Sequence, residues 1–355
     1  MVDALAVTGA CRQLEEGWDL LRTGRLGEAL AAAERALGVL ERELGGASAD
    51  VANVLLLRAE VLGQLGRGGE GLRDLLRAVA ITRPLRAMTP CDRVHAQALR
   101  GVAAGLWQAG RYRAAEAWLR HGLRFTAPLG EPMEMARLLN LLGMVLRYTG
   151  RLKAGERRLR MALRMVRSAA AGAAGQGAEA TIRHNLAGLY LASGDLEAAE
   201  YQARAALELR EEVDGGNVLA VAADRLCLAG VLSARGESTS ARVLARAALA
   251  EYRMRLGEEH WEIGFCLHVL AHTHATEGHH RQAAELYRRA IAVKARALGE
   301  NHPEVATSWL GLAQQLAGPE REYALRRAGQ LTAAFHRRHP VRVRLHDLDR
   351  HPAPV

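Results

Sequence analysis

Aromatic side chains are scarce in this sequence. Phe, Trp and Tyr make up only 4% of its 355 residues, although 49% of the residues are hydrophobic. The core must therefore be built from Leu, Ala and Val. Ala and Leu are strong helix formers, and no segment shows the sustained alternation of β-branched and aromatic residues that is typical of strands. We predict an all-α fold.

Cysteines and long apolar runs are equally sparse. Four cysteines lie far apart in the sequence without a paired spacing, which argues against a disulfide framework or a zinc knuckle and favours a reducing compartment. They are Cys11, Cys91, Cys227 and Cys266. No basic segment precedes an apolar run at the start, so we expect no signal peptide. No run of about 18 apolar residues occurs that could span a membrane. We therefore predict a cytoplasmic protein without a membrane partner.

Lysine is nearly absent, since Lys153 and Lys294 are the only two, and the net charge of +9 is carried by arginine. Arginine favours bidentate contacts with carboxylates and phosphates. A GC-rich genome also enriches arginine without any functional pressure. The net charge alone therefore identifies no partner.

A glycine recurs along the chain at intervals of 40–44 residues. Each one is preceded, seven positions earlier, by Gly or Ala. The eight glycines are Gly24, Gly66, Gly110, Gly150, Gly194, Gly236, Gly278 and Gly318. We predict that a helix ends at each glycine, that a second helix follows, and that the small residues let the two approach closely. One such pair buries too little surface alone, so neighbouring pairs must stack.

Two segments carry a family resemblance: residues 184–207, "HNLAGLYLASGDLEAAEYQARAAL", and residues 268–291, "HVLAHTHATEGHHRQAAELYRRAI". They resemble the tetratricopeptide repeat family. The 42-residue spacing of the loops "LGEEHW" and "LGENHP" is similar to that of its kinesin-light-chain-like subtype. The resemblance implies a right-handed α-solenoid of about eight helix-turn-helix repeats. The sequence departs from the family pattern at Gly71 and Gly155, where the family prefers alanine.

The resemblance also sets the domain boundaries that we predict. Residues 1–9 form an N-terminal extension, residues 10–334 form the repeat domain, and residues 335–355 form a basic, proline-containing tail. We expect this tail to be disordered, because it has too many prolines and charges to pack. The Gly/Ala-rich segment 168–180 is expected to be a flexible loop between repeats 4 and 5.

In this family the first helix of each repeat lines a concave groove, which implies a set of partner-binding residues here. They are Arg100, Trp107, Arg137, Asn140, Arg147, Tyr148, His184, His268 and His272. Asn140 stands where kinesin-light-chain-like repeats carry an asparagine that holds a peptide backbone, and an amide can both donate and accept. The arginines would pair with acidic side chains or a free C-terminus. The alternative is that these are ordinary solvated residues.

His268 and His272 are four residues apart on one helix, a spacing that also occurs in metal sites. No third ligand is evident, so we predict that both face a partner and that the protein holds no metal and no other cofactor. No nucleophile motif or carboxylate pair points to catalysis. We therefore predict that the protein is not an enzyme.

A basic ridge recurs at spacings of four and three residues on the second helix of repeat 4. Its members are Lys153, Arg157, Arg160, Arg164 and Arg167. Such a ridge could contact the phosphates of a nucleic acid or an acidic partner. No aromatic residues are interleaved for base stacking, so a nucleic acid is the less favoured partner. A solvated outer face is the alternative.

These patterns together predict a non-enzymatic scaffold or adaptor that binds a peptide or partner protein in the concave groove. One alternative is a peptide-sensing regulator that changes shape when its ligand binds. The other is a nucleic-acid-associated protein that uses the basic ridge.

Overall fold

The computed structural model describes residues 2–85, 91–169, 172–212, 217–333 and 340–350. Within these ranges the chain forms seventeen α-helices and no strand, which confirms the all-α prediction. The helices are α1 Ala4–Arg22, α2 Leu26–Leu44, α3 Ala49–Gln64, α4 Gly68–Thr82, α5 Cys91–Gln108, α6 Tyr112–Thr126, α7 Pro132–Tyr148, α8 Leu152–Ala169, α9 Ala173–Ser193, α10 Leu196–Glu212, α11 Val218–Ala234, α12 Ser238–Leu256, α13 Trp261–Thr276, α14 His280–Leu298, α15 Val305–Ala313, α16 Gly318–Leu331 and α17 Pro340–Arg350. None of the helices in the described ranges is long and apolar enough to cross a membrane.

The first sixteen helices form eight consecutive pairs, as the glycine spacing predicts. All eight repeat glycines have a positive φ, from 56° at Gly318 to 85° at Gly236. This left-handed conformation costs glycine little and strains other residues. The backbone can therefore turn sharply between the two helices of a pair.

Small residues allow the helices of a pair to touch at the predicted positions. A Cβ atom added at Gly143 would lie 2.5 Å from Cγ of Leu159, on the second helix of the same repeat. Gly71, which departs from the family pattern, faces the backbone itself: its Cβ would lie 2.8 Å from the carbonyl oxygen of Ala59. Glycine replaces alanine there because the two backbones are too close for a methyl group.

The two similar loops between repeats use a histidine to start the next helix. Nδ1 of His260 accepts a hydrogen bond from the backbone N–H of Glu262, at 3.3 Å. Nδ1 of His302 accepts one from the N–H of Glu304 in the same way, at 3.2 Å. Both histidines are buried. The repeated sequence thus satisfies an N–H group that a helix start would otherwise leave unpaired.

Three segments differ from the sequence predictions. The prediction that residues 168–180 form a flexible loop is wrong over most of this segment. Helix α9 begins at Ala173, and the alanines at its start favour a helix. Helix α1 begins at Ala4 and so includes most of the predicted extension, residues 1–9. In the predicted disordered tail, residues 340–350 form α17, whose apolar side chains pack on α15 and α16. The other residues of the tail lie outside the described ranges.

The helices group into two compact units. The first unit comprises Met1–Leu142 with Gly215–Asn217, and the second comprises Gly143–Asp214 with Val218–Val355. Leucines fill the core of the first, where Leu40, Leu55 and Leu99 are fully buried. Alanines and single tyrosines fill the core of the second, including Tyr252 and Tyr287.

Candidate functional site

In the first unit, two of the predicted arginines share one carboxylate. Nε of Arg100, on α5, donates to Oε1 of Glu134 at 2.7 Å, and Nη1 of Arg137, on α7, lies 3.4 Å from Oε2 of the same residue. The Glu134 side chain is only 5% exposed, whereas that of Arg137 is 49% exposed. The structure therefore brings Arg100 and Arg137 together, with part of their charge balanced inside the protein.

Asn140 and Trp107 are both half-buried. Asn140 follows Arg137 by three residues on α7, so the two side chains share one helix face. Trp107 lies near the end of α5. The structure supports the placement of these residues on first helices of repeats, and their role in binding stays a prediction.

In the second unit, Arg147 lies between an aromatic ring and a glycine. Its Cζ is 4.5 Å from the ring centroid of Tyr148. Its Nη1 fills the space beside Gly188, where an added Cβ would be 2.0 Å away. Burial raises the pKa of Tyr148, and the nearby carboxylate of Glu304 raises it further. Burial lowers the pKa of Arg147, but Tyr148 and Glu304 offset this, so the pKa lies above its ordinary value. The guanidinium is thus a permanently charged group held in a fixed position.

His184 belongs to a buried ionic cluster that joins repeats 5 and 6. Its Nδ1 lies 2.8 Å from Oδ1 of Asp224, and Nε of Arg210 donates to Oδ2 of Asp224 at 2.9 Å. The Asp224 side chain is 1% exposed, and that of His184 is 32% exposed. Burial raises the pKa of Asp224, but the hydrogen bond from His184 and the charge of Arg210 lower it below its ordinary value. His184 is therefore oriented by a carboxylate on the next repeat.

His268 and His272 are held in the same way by hydroxyl groups of neighbouring repeats. Nδ1 of His268 lies 3.1 Å from Oγ of Ser308, and Nδ1 of His272 lies 2.6 Å from Oγ of Ser233. Burial is the main reason that the pKa of each histidine lies below its ordinary value. Among the described residues, neither histidine makes a hydrogen bond with His184 or Arg147.

Three partners that orient the histidines were missed by the sequence prediction: Asp224, Ser233 and Ser308. A signal was available, because each lies 39 or 40 residues from its histidine. This is close to the repeat length, so the partners occupy equivalent places on adjacent first helices. An acidic side chain such as that of Asp224 is rarely buried unless it is paired with another group.

The basic ridge is exposed along α8 at all five predicted positions. Arg160 lies 2.9 Å from both Glu156 and the hydroxyl of Tyr190, and Arg167 lies 2.7 Å from Glu179. Two of its five charges are therefore already balanced by acidic side chains.

One group of possible metal ligands occurs within the described ranges, in the turn of repeat 7. It consists of His274, Glu277 and His279, whose ligand atoms lie within 4.8 Å of one another. Both carboxylate oxygens of Glu277 accept hydrogen bonds from Arg242, at 2.8 Å. The Glu277 carboxylate that a cation would need is therefore already paired with the guanidinium of Arg242.

Three of the repeats match a known protein family. The model of the tetratricopeptide repeat family matches residues 180–215, 225–262 and 266–304, which correspond to repeats 5, 6 and 7. No curated relative matches the sequence.

Three solved structures illustrate the similarity in fold. A Rap protein complexed with competence and sporulation factor shares 14% identity over 97% of this chain and 94% of its own, with a TM-score of 0.63. NprR in complex with its cognate peptide NprX shares 15% identity over 92% and 87%, with a TM-score of 0.62. Kinesin light chain TPR-like repeats from Podosopora anserina share 18% identity over 59% and 98%, with a TM-score of 0.43. The first two confirm the predicted helical solenoid.

Proposed function

We propose that this chain, a member of the tetratricopeptide repeat family, is a non-enzymatic cytoplasmic scaffold that binds a peptide or partner protein through the first helices of its repeats. Of two structures that share its fold, the Rap protein is complexed with competence and sporulation factor, and NprR is in complex with its cognate peptide NprX. We infer that this chain binds a partner of the same kind. Acidic side chains or a free C-terminus of that partner are bound at Arg147.

The fixed position of Arg147 is the observation that carries the proposal. The guanidinium is held against the Tyr148 ring and the backbone of Gly188, so little side-chain entropy is lost when a ligand binds. Glu304 adds a chemical argument, because a carboxylate of the protein itself already lies near this pair. A carboxylate of the ligand would make the same charge-assisted contacts.

The test selects peptides on the wild-type chain by display and measures their affinities for two variants. A hydrogen bond to a charged group contributes about 1.5–3 kcal/mol, so Arg147→Met should weaken the binding of acidic or free-C-terminus peptides by roughly 10- to 150-fold. Arg158→Met, an exposed arginine on α8, is the matched control and should leave affinity unchanged. Equal affinities for both variants, or no selected peptide, would refute the proposal.

A second reading, the peptide-sensing regulator, is favoured by the contact between Tyr148 and Glu304. Tyr148 lies in repeat 4 and Glu304 lies just before the first helix of repeat 8, so this electrostatic interaction joins parts of the second unit that are distant in sequence. A ligand that displaces Glu304 would release this link. Small-angle scattering with and without a selected peptide separates the two readings: a regulator changes its radius of gyration, and a rigid scaffold does not.

A further inference from the structure

Helix α17 differs from every other helix in how it is packed. Each of α1–α16 contains buried side chains, but every α17 side chain with a described environment, from Val341 to Leu348, is half-buried or exposed. Its apolar contacts with the rest of the protein come from three residues spaced four and three apart: Val341, Leu345 and Leu348. This spacing is that of an amphipathic helix lying on a surface.

The surface under α17 belongs to repeats 7 and 8 and is only partly filled. A cavity of about 120 Å³ remains between α17 and the repeats, lined by His268, His272 and Tyr287 on one side and by Arg344 and Leu348 on the other. A well-packed core leaves few voids of this size.

The polar contacts of α17 also indicate a loosely bound helix. Each end of α17 is held by one hydrogen bond from an arginine to a backbone carbonyl. Arg321 donates to the carbonyl of Leu348, and Arg342 donates to that of Ala333. In the middle, the Arg344 charge acts on His268 and His272, whose pKa values are lowered mainly by burial and further by Arg344. Within the described ranges no carboxylate forms an ion pair with Arg344.

We propose that α17 is a removable occupant of a helix-binding surface on repeats 7 and 8, and that an amphipathic partner helix with the same spacing of apolar residues takes its place. While α17 is bound, it covers His268 and His272. The sequence predicts that both histidines face a partner. Release of α17 would expose both histidines beside Leu310 and Gly311, which line the same cavity. Neither Arg147 nor Tyr148 lines this cavity, so the proposal can hold or fail independently of the peptide site.

The main experiment uses α17 itself as the probe. A fluorescein-labelled synthetic peptide of residues 340–350 with blocked ends is titrated with the full chain, and its anisotropy is measured. The wild-type chain should bind weakly, because its own α17 occupies the surface most of the time. Leu345→Asp detaches α17 and should raise the affinity for the peptide at least tenfold. Val343→Asp is the control, because Val343 lies on the same helix but is 46% exposed, and it should bind like the wild type.

Two further measurements keep the result clear. A peptide carrying the Leu345→Asp change should not bind, and thermal unfolding followed by circular dichroism checks that each variant is folded. Hydrogen exchange of the unchanged chain should show α17 amides exchanging at least a hundredfold faster than those of α16. Equal peptide affinity for all three chains, no binding to any of them, or α17 amides as slow as those of α16 would each overturn the proposal.

Discussion

The buried carboxylate of Asp224 is expected to be among the most stabilising single groups in the second unit. It accepts hydrogen bonds from Arg210 at 2.9 Å and from His184 at 2.8 Å, and its side chain is 1% exposed. The substitution Asp224→Asn keeps the shape of the side chain but removes its charge. We predict that it loosens the contact between repeats 5 and 6 without unfolding the rest of the chain.

The magnitude follows from what remains buried after the change. Removing one member of a buried ion pair costs about 3–5 kcal/mol, because the other charge stays without its partner. Arg210, 14% exposed, keeps hydrogen bonds to the carbonyl of Gly177 and to the Thr181 hydroxyl. We therefore expect the lower end, about 3 kcal/mol, which corresponds to a factor of about a hundred in a local opening equilibrium.

Hydrogen exchange resolved by segment is the suitable assay, since repeat proteins open locally. Amides of α9–α11 should exchange about a hundredfold faster in Asp224→Asn at pH 7. Glu211→Gln is the matched control, because Glu211 pairs with Arg225 between the same two helices but is 47% exposed, and its effect should stay below tenfold. An Asp224→Asn variant that exchanges like this control would refute the reasoning.

The pH dependence of the same variant provides an independent check. The folded-state pKa of Asp224 lies below its ordinary value. The stabilisation by the carboxylate is therefore complete above the unfolded-state pKa and is lost as the pH falls through the folded-state pKa. The difference between wild type and Asp224→Asn should shrink on acidification. A difference that stays constant from neutral to acid pH would contradict this assignment.

Four other changes test the packing of repeats 6 to 8 by urea denaturation. In Gly311→Ala, the new Cβ would lie 2.4 Å from the Tyr287 ring, and we expect a loss of about 1–3 kcal/mol. Gly230→Ala, whose nearest atoms are 3.9 Å away, should be neutral or stabilising. His302→Ala removes the acceptor at the start of α15 and should cost about 1 kcal/mol. Burial lowers the pKa of Lys294 from 10.5 to about 8, so wild-type stability should rise with pH between these values, where only the unfolded state holds the proton. Lys294→Met should gain roughly 2–4 kcal/mol at pH 7 and nothing above pH 10.5; a gain that does not depend on pH would contradict this account.

The helix pairs could be predicted from the sequence because their determinants are local and recur. All eight repeat glycines have a positive φ, and Gly143 faces the second helix of its repeat as expected, whereas Gly311 faces Tyr287 of the preceding repeat. The failures have a physical cause as well. Segment 173–180 is helical because alanine favours helix even beside glycine, and α17 forms because Val341, Leu345 and Leu348 find a surface that composition alone does not reveal.

The candidate site was only partly accessible to sequence reasoning. Its arginines and histidines could be placed on first helices, since the repeat period fixes their position. Their partners could not, because Glu134, Asp224 and Glu304 reach them through tertiary contacts. The sequence therefore predicted a set of partner-binding residues, whereas several of its members form ion pairs or hydrogen bonds within the protein.

The hydrogen bonds between histidines and their neighbours impose a rule on how such a protein can evolve. His184 with Asp224, Ser233 with His272, and His268 with Ser308 each join one repeat to the next. Deleting or exchanging repeat 6 or repeat 7 alone would therefore break one pair on each side and leave a buried group without its partner. Repeats joined by such pairs would have to be exchanged together, and new binding preferences in this protein are expected to arise by paired substitutions about 40 residues apart.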